Sequence, residues 1–118
     1  MAAGARRNAA VSLELPINVA REFEVLGRRW APQILFLLLQ RPARFTELER
    51  AVPGLTKRVM AERLRELQAA GLVERRVESG PPLGSSYALT PDGEALRAPF
   101  EGLGAWAEER AQRCTAPA

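Results

Sequence analysis

Residues 46–71 read TELERAVPGLTKRVMAERLRELQAAG, and this stretch decides the fold. Thr46 and Glu49 stand in the T-x-x-E pattern of a capping box, which predicts a short helix that starts at Thr46 and ends before Pro53-Gly54. Thr56 suits the N-cap of a second helix, whose Met60, Leu64 and Leu67 share one face at i, i+4 and i+7, and Gly71 supplies the stop. Lys57, Arg58, Ala61, Glu62 and Arg65 then point away from that apolar face. Two capped helices joined by a tight turn form the layout in which the start of the second helix meets base edges in the DNA major groove. Thr56-Lys57-Arg58 gathers hydroxyl, ammonium and guanidinium donors at a positive helix end, a cluster that suits phosphates and guanine edges alike.

Upstream of this stretch, Val19, Phe23 and Leu26 define a first helix from Ile17, stopped by the conformational freedom of Gly27. A second helix begins at Ala31 with Pro32 in its first turn, and residues 34–39 are too apolar for a surface helix, so it lies at the centre of the core. A break around Pro42 follows, and Phe45 is expected to plug the core from a short extended segment. Downstream, residues 72–77 and 85–89 read as two strands joined by a Gly/Pro-rich loop. Thr90-Pro91 opens a last helix, with Leu96, Phe100, Leu103 and Trp106 on one stripe and a kink at Pro99. The expected fold class is mainly α with a small β-hairpin, a winged helix-turn-helix. Residues 1–12 are expected to form a flexible N-terminal tail, residues 13–110 a single domain and residues 111–118 a C-terminal tail.

Composition narrows the function. With 47% hydrophobic and 26% charged residues, the chain has the balance of a globular domain and can build a core. Its longest apolar run is far shorter than a bilayer span and no signal peptide is legible, which predicts a cytoplasmic protein. There is no histidine, and the single cysteine, Cys114, cannot complete a zinc site or an internal disulfide. Histidine-dependent triads are excluded, no catalytic residue or convincing carboxylate pair is found, and neither a metal nor a cofactor is expected. The formal net charge is +3, and all but one of the 17 basic residues are arginines. Across residues 56–76 six basic residues, Lys57, Arg58, Arg63, Arg65, Arg75 and Arg76, face three acidic ones, Glu62, Glu66 and Glu74, so this window holds as much net charge as the whole chain. Such a concentration fits a phosphate-binding surface, and a solvated helix with Glu62 and Glu66 in ion pairs would look similar.

Several co-spaced blocks carry a resemblance: Gly27-Arg28-Arg29-Trp30, Ile34-Leu35, Arg44-Phe45-Thr46-Glu47-Leu48, Pro53-Gly54-Leu55-Thr56, Arg63-Leu64-Arg65-Glu66-Leu67, Gly71-Leu72-Val73, Tyr87-Ala88-Leu89-Thr90 and Trp106. Over about residues 17–107 the chain resembles the HxlR-type bacterial regulators. The resemblance implies a homodimer, assembled through the first and last helices, that binds double-stranded DNA with two recognition helices on a pseudo-palindromic operator. It implies base-edge roles for Thr56, Lys57, Arg58, Ala61 and Glu62, and phosphate contacts for Arg28, Arg29, Arg65 and Arg76. Two departures stand out. Before the first helix, where many members carry a redox-sensing cysteine, this chain reads Leu13-Glu14-Leu15-Pro16, which excludes thiol sensing there. The hairpin loop has no basic residue, so Arg75 and Arg76 at its base are the expected substitutes.

For the dimer, Val19, Phe23, Leu96, Phe100, Leu103 and Trp106 are the candidate interface, because so small a domain can hardly bury two apolar stripes by itself. A cavity lined by Trp30, Phe100 and Trp106 is the candidate place for a small-molecule effector. A winged-helix module that binds protein instead of DNA is the competing reading, since a fold alone does not fix function.

Overall fold

The computed structural model describes residues 12–80 and 84–115. The expected N-terminal tail, apart from Ser12, and the loop tip at Pro81, Pro82 and Leu83 lie outside them, as do residues 116–118. Helix α1 (Ile17–Leu26) leads to α2 (Ala31–Gln40), strand β1 (Ala43–Arg44), α3 (Phe45–Ala51) and α4 (Lys57–Ala69). Strands β2 (Val73–Glu78) and β3 (Gly84–Leu89) form the hairpin, and α5 (Pro91–Glu94) and α6 (Arg97–Thr115) complete the chain. The sheet is antiparallel throughout, in the order β1-β3-β2.

Helix α2 is the centre of the core, as its composition predicts: Ile34, Leu35 and Leu38 are fully buried with Leu48, Met60, Leu64 and Leu67. Phe36 in the same apolar run is exposed at the surface edge, its ring 6.3 Å from that of Phe100. The face of α4 that carries Met60, Leu64 and Leu67 is thus anchored by burial, worth about 1.5–3 kcal/mol for each side chain of this size. Gly71 ends α4 at φ 79°, in the left-handed region where glycine is preferred.

Five local expectations are corrected. Helix α3 begins at Phe45, not Thr46, because pairing of Ala43 with Tyr87 and of Arg44 with Ser86 holds the preceding residues extended. The cap is consequently shifted: the Glu47 carboxylate accepts from the Arg44 backbone N–H at 2.9 Å, and Glu49 has no such part. Phe45 is a half-buried helical residue, and Ala43 is the buried residue of the extended segment. Gly27 is right-handed at φ −81°, so steric closeness is what requires it there, since a Cβ would stand 2.5 Å from the Phe23 carbonyl oxygen. The left-handed residue of that turn is Trp30, at φ 79°. Finally, the C-terminal helix breaks at Ala95-Leu96, where Ala95 N–H bonds Pro91 O and Leu96 N–H bonds Gly93 O. Pro99 lies in the first turn of α6, where a missing N–H removes no helical bond. Helix α6 runs through Thr115, past Arg110, where the sequence suggested a tail.

Candidate nucleic-acid interface

Helix α3 and helix α4 are joined by a turn closed by Leu55 N–H to Val52 O at 3.2 Å, with Leu55 buried beneath it. Thr56 caps α4 as its sequence suggests, its Oγ1 accepting from Val59 N–H at 3.1 Å. Because Met60, Leu64 and Leu67 are committed to the core, the opposite side of α4 must face outward, and Thr56, Lys57, Arg58 and Arg65 are exposed there with Ala61 and Glu62 half-buried beside them. The first turn of α4 holds no acidic residue, so its positive dipole end is reinforced by Lys57 and Arg58. Arg58 is 88% exposed and pairs with Glu62 at 3.4 Å one turn on, a contact that water screens and a phosphate could displace.

The other expected contacts are placed less uniformly. Arg28 pairs with Glu66 at 3.3 Å on the flank of α4, and the Arg29 guanidinium lies over the Trp30 ring, 4.8 Å from its centroid. Arg75 and Arg76 are adjacent in β2, so they project to opposite faces of the sheet and cannot present one common surface. Arg76 pairs with Glu74 at 2.8 Å.

The three residues expected to line an effector cavity have different surroundings within the subunit. Phe100 is buried against Phe36, and Trp106 stands half-exposed on α6 beneath the Arg110 guanidinium. Trp30 instead lines an open apolar groove of about 380 Å³ with Gln33, Phe36, Leu37, Ala51, Val52 and Pro53. Of the candidate interface residues, Phe100 is core within this subunit and Leu96 packs against that core, whereas Val19, Phe23, Leu103 and Trp106 are exposed.

Sequence reasoning missed a charged cleft of about 540 Å³ between β1, the start of α3 and β2. Arg41 donates to Glu47 at 2.7 Å, and Arg44 forms an ion pair with Glu78, 34 residues away. The Glu47 carboxyl is held down at about 2 by the Arg41 hydrogen bond and, after it, by the Arg44 backbone N–H, and Arg41 is raised in return. Nothing in the local sequence signals the Arg44–Glu78 pairing, because the sheet alone brings the two together.

A capped, outward-facing helix held by a short helix and tight turn, with an antiparallel hairpin after it, defines a winged helix-turn-helix domain. The chain belongs to the HxlR-like helix-turn-helix family, whose model matches residues 25–115. It is 39% identical over 87 residues to the HTH-type transcriptional regulator YodB of Bacillus subtilis, covering 74% of this chain and 78% of YodB. It is 41% identical over 86 residues to the HTH-type transcriptional regulator YvaP of the same organism, covering 73% of this chain and 80% of YvaP. The reduced form of YodB superposes with a TM-score of 0.72 at 34% identity, covering 89% of this chain and 100% of that one. YodB has also been solved diamide-treated and quinone-bound. The chain is a DNA-binding transcription regulator of this family.

Proposed function

We propose that the protein acts in the cytoplasm as a homodimer that reads a pseudo-palindromic operator, with α4 of each subunit in the major groove and no catalytic step. The observation that carries this reading is the capped N-terminus of α4, where Lys57 and Arg58 stand exposed without an acidic residue in the turn. Thr56, Lys57, Arg58, Ala61 and Glu62 lie near the base edges. Arg65 and, from the flank, Arg28 and Arg29 meet phosphates, joined from the hairpin by whichever of Arg75 and Arg76 lies on the DNA-facing side of β2. The dimer is supported by the apolar side chains left in solvent on the terminal elements: Leu15, Ile17, Val19 and Phe23 at one end, Leu103 and Trp106 at the other, with Phe23 58% and Trp106 53% exposed. Cys114 is exposed on α6 and is the chain's one thiol, so any effector acts without a disulfide within the subunit.

Fluorescence anisotropy tests the DNA reading. A duplex selected by the protein from a randomised pool is compared with its scrambled counterpart across a salt series, beside Lys57→Ala and Arg58→Ala. Tight, steeply salt-dependent binding to the selected duplex, weakened in both variants, is the expected result. Equal and weak binding to both duplexes would overturn it and favour a protein-binding module. For the dimer, light scattering should report twice the subunit mass, falling toward the monomer in Phe23→Glu and Trp106→Glu.

A further inference from the structure

Arg63 lies outside the base-facing stripe of α4, yet it is the most buried of the ion-paired arginines among the described residues, its side chain 11% exposed. Its Nε donates to the Arg29 backbone carbonyl at 2.8 Å, and its Nη1 approaches Glu66 at 3.4 Å and Glu62 at 3.8 Å. A guanidinium so little exposed must be paired to be tolerated, and its planar fork gives the pairing a direction.

That direction matters because the side chains that α4 buries in the core are all apolar. Met60, Leu64 and Leu67 fix how deeply the helix sits, but apolar burial is non-directional and constrains rotation and axial shift weakly. The Arg63 hydrogen bond ties α4 to the turn between α1 and α2. The turn is itself braced: Gly27 N–H bonds Phe23 O at 2.7 Å, Ala31 N–H bonds Arg28 O at 3.1 Å, and Ile34 N–H bonds Trp30 O at 3.0 Å. Arg29 is therefore a fixed point at the end of α1, the helix that presents Val19 and Phe23 to solvent. A second strap, Arg28 to Glu66 at 3.3 Å, is half-exposed and correspondingly weak.

We propose that Arg63 is a positioning residue that sets the separation of the two recognition helices in the dimer, and hence the half-site spacing of the accepted operator, by fixing α4 to the α1–α2 turn. This inference rests on the homodimeric, DNA-reading function above. Arg63 touches no base in it; it acts through the placement of Lys57 and Arg58.

The test compares the duplex that wild-type protein selects from a randomised pool with the same duplex carrying two extra base pairs at its dyad. The insertion turns one half-site by about 70° and moves it by about 7 Å relative to the other. Wild type should bind the inserted duplex far more weakly. Arg63→Met, which keeps the apolar stem and loses the fork, should reduce that insertion penalty about fivefold. Arg63→Lys, which keeps a donor for the Arg29 carbonyl, should restore part of it. Thermal melts confirm folding, and if the methionine variant does not fold, Arg63→Leu, which has no donor for the carbonyl, carries the same expectation. A variant that weakens both duplexes by the same factor, or neither, overturns the role of Arg63. Wild type that binds without a spacing preference overturns the dimer reading, and wild type that selects no duplex overturns the DNA reading.

Discussion

Two threonines do the same local job at opposite ends of the α4–hairpin unit, and their loss should cost different amounts. Thr56 caps α4 through one hydrogen bond, accepted from Val59 N–H at 3.1 Å, in an exposed position. Replacement of such a cap by alanine costs about 1 kcal/mol. Thr90 caps α5 in the same way, accepting from Gly93 N–H at 3.2 Å, but its hydroxyl also donates to Gly71 O at 2.5 Å and so ties α5 to the end of α4. Loss of that second bond adds about 1 kcal/mol, so Thr90→Ala should cost about 2 kcal/mol in all. At roughly 4 °C per kcal/mol for a domain of this size, Tm should fall by about 4 °C in Thr56→Ala and about 8 °C in Thr90→Ala. Melts followed by circular dichroism at one fixed subunit concentration measure both, because an associating protein has a concentration-dependent Tm. Thr56→Ser and Thr90→Ser keep the hydroxyl and should recover most of each loss. Only the Thr56 variant should weaken DNA binding beyond its effect on stability, since Thr56 stands at the outward end of α4. Equal losses in the two alanine variants, or serine variants no better than alanine, would refute the hydrogen-bond accounting.

Three further outcomes are expected. Leu64→Ala, which empties a fully buried site under α4, should cost about 2–5 kcal/mol in urea unfolding. Gly71→Ala meets no atom within 4 Å of the new Cβ, so its cost is the left-handed backbone alone, about 1–2 kcal/mol in the same assay, with Gly71→Asn cheaper. Glu47 has a native carboxyl near 2 against an ordinary 4.5, so its contribution to stability is complete above about pH 4.5 and is lost as pH falls toward 2; melts over that range should show a fall that Glu47→Gln reduces.

What could be read from the sequence was whatever depends on neighbours within a turn or two of chain. The Thr56 cap, the Met60–Leu64–Leu67 face and the Gly71 stop all follow from spacing and backbone preference, and they place Lys57 and Arg58 outward without any knowledge of the rest. Local rules misplaced features where a distant partner intervenes. The start of α3 moved because β1 pairs with β3, more than forty residues on, so that Arg44 and Glu47 take the capping positions that Thr46 and Glu49 offered equally well. The break before α6 fell at Ala95-Leu96, where the bonding of α5 ends, and Pro99 leaves no kink because a proline in the first turn of a helix removes no helical bond. Phe100, whose spacing equally suits core or interface, was assigned to the core by its packing on Phe36. The sequence by itself determined a helix-turn-helix with an exposed, basic reading end, because helix caps, glycine stops and apolar periodicity are local. Only the tertiary structure decided how that end is held, through the Arg63 bond to Arg29, because a hydrogen bond across 34 residues exists only once the core has brought its partners together.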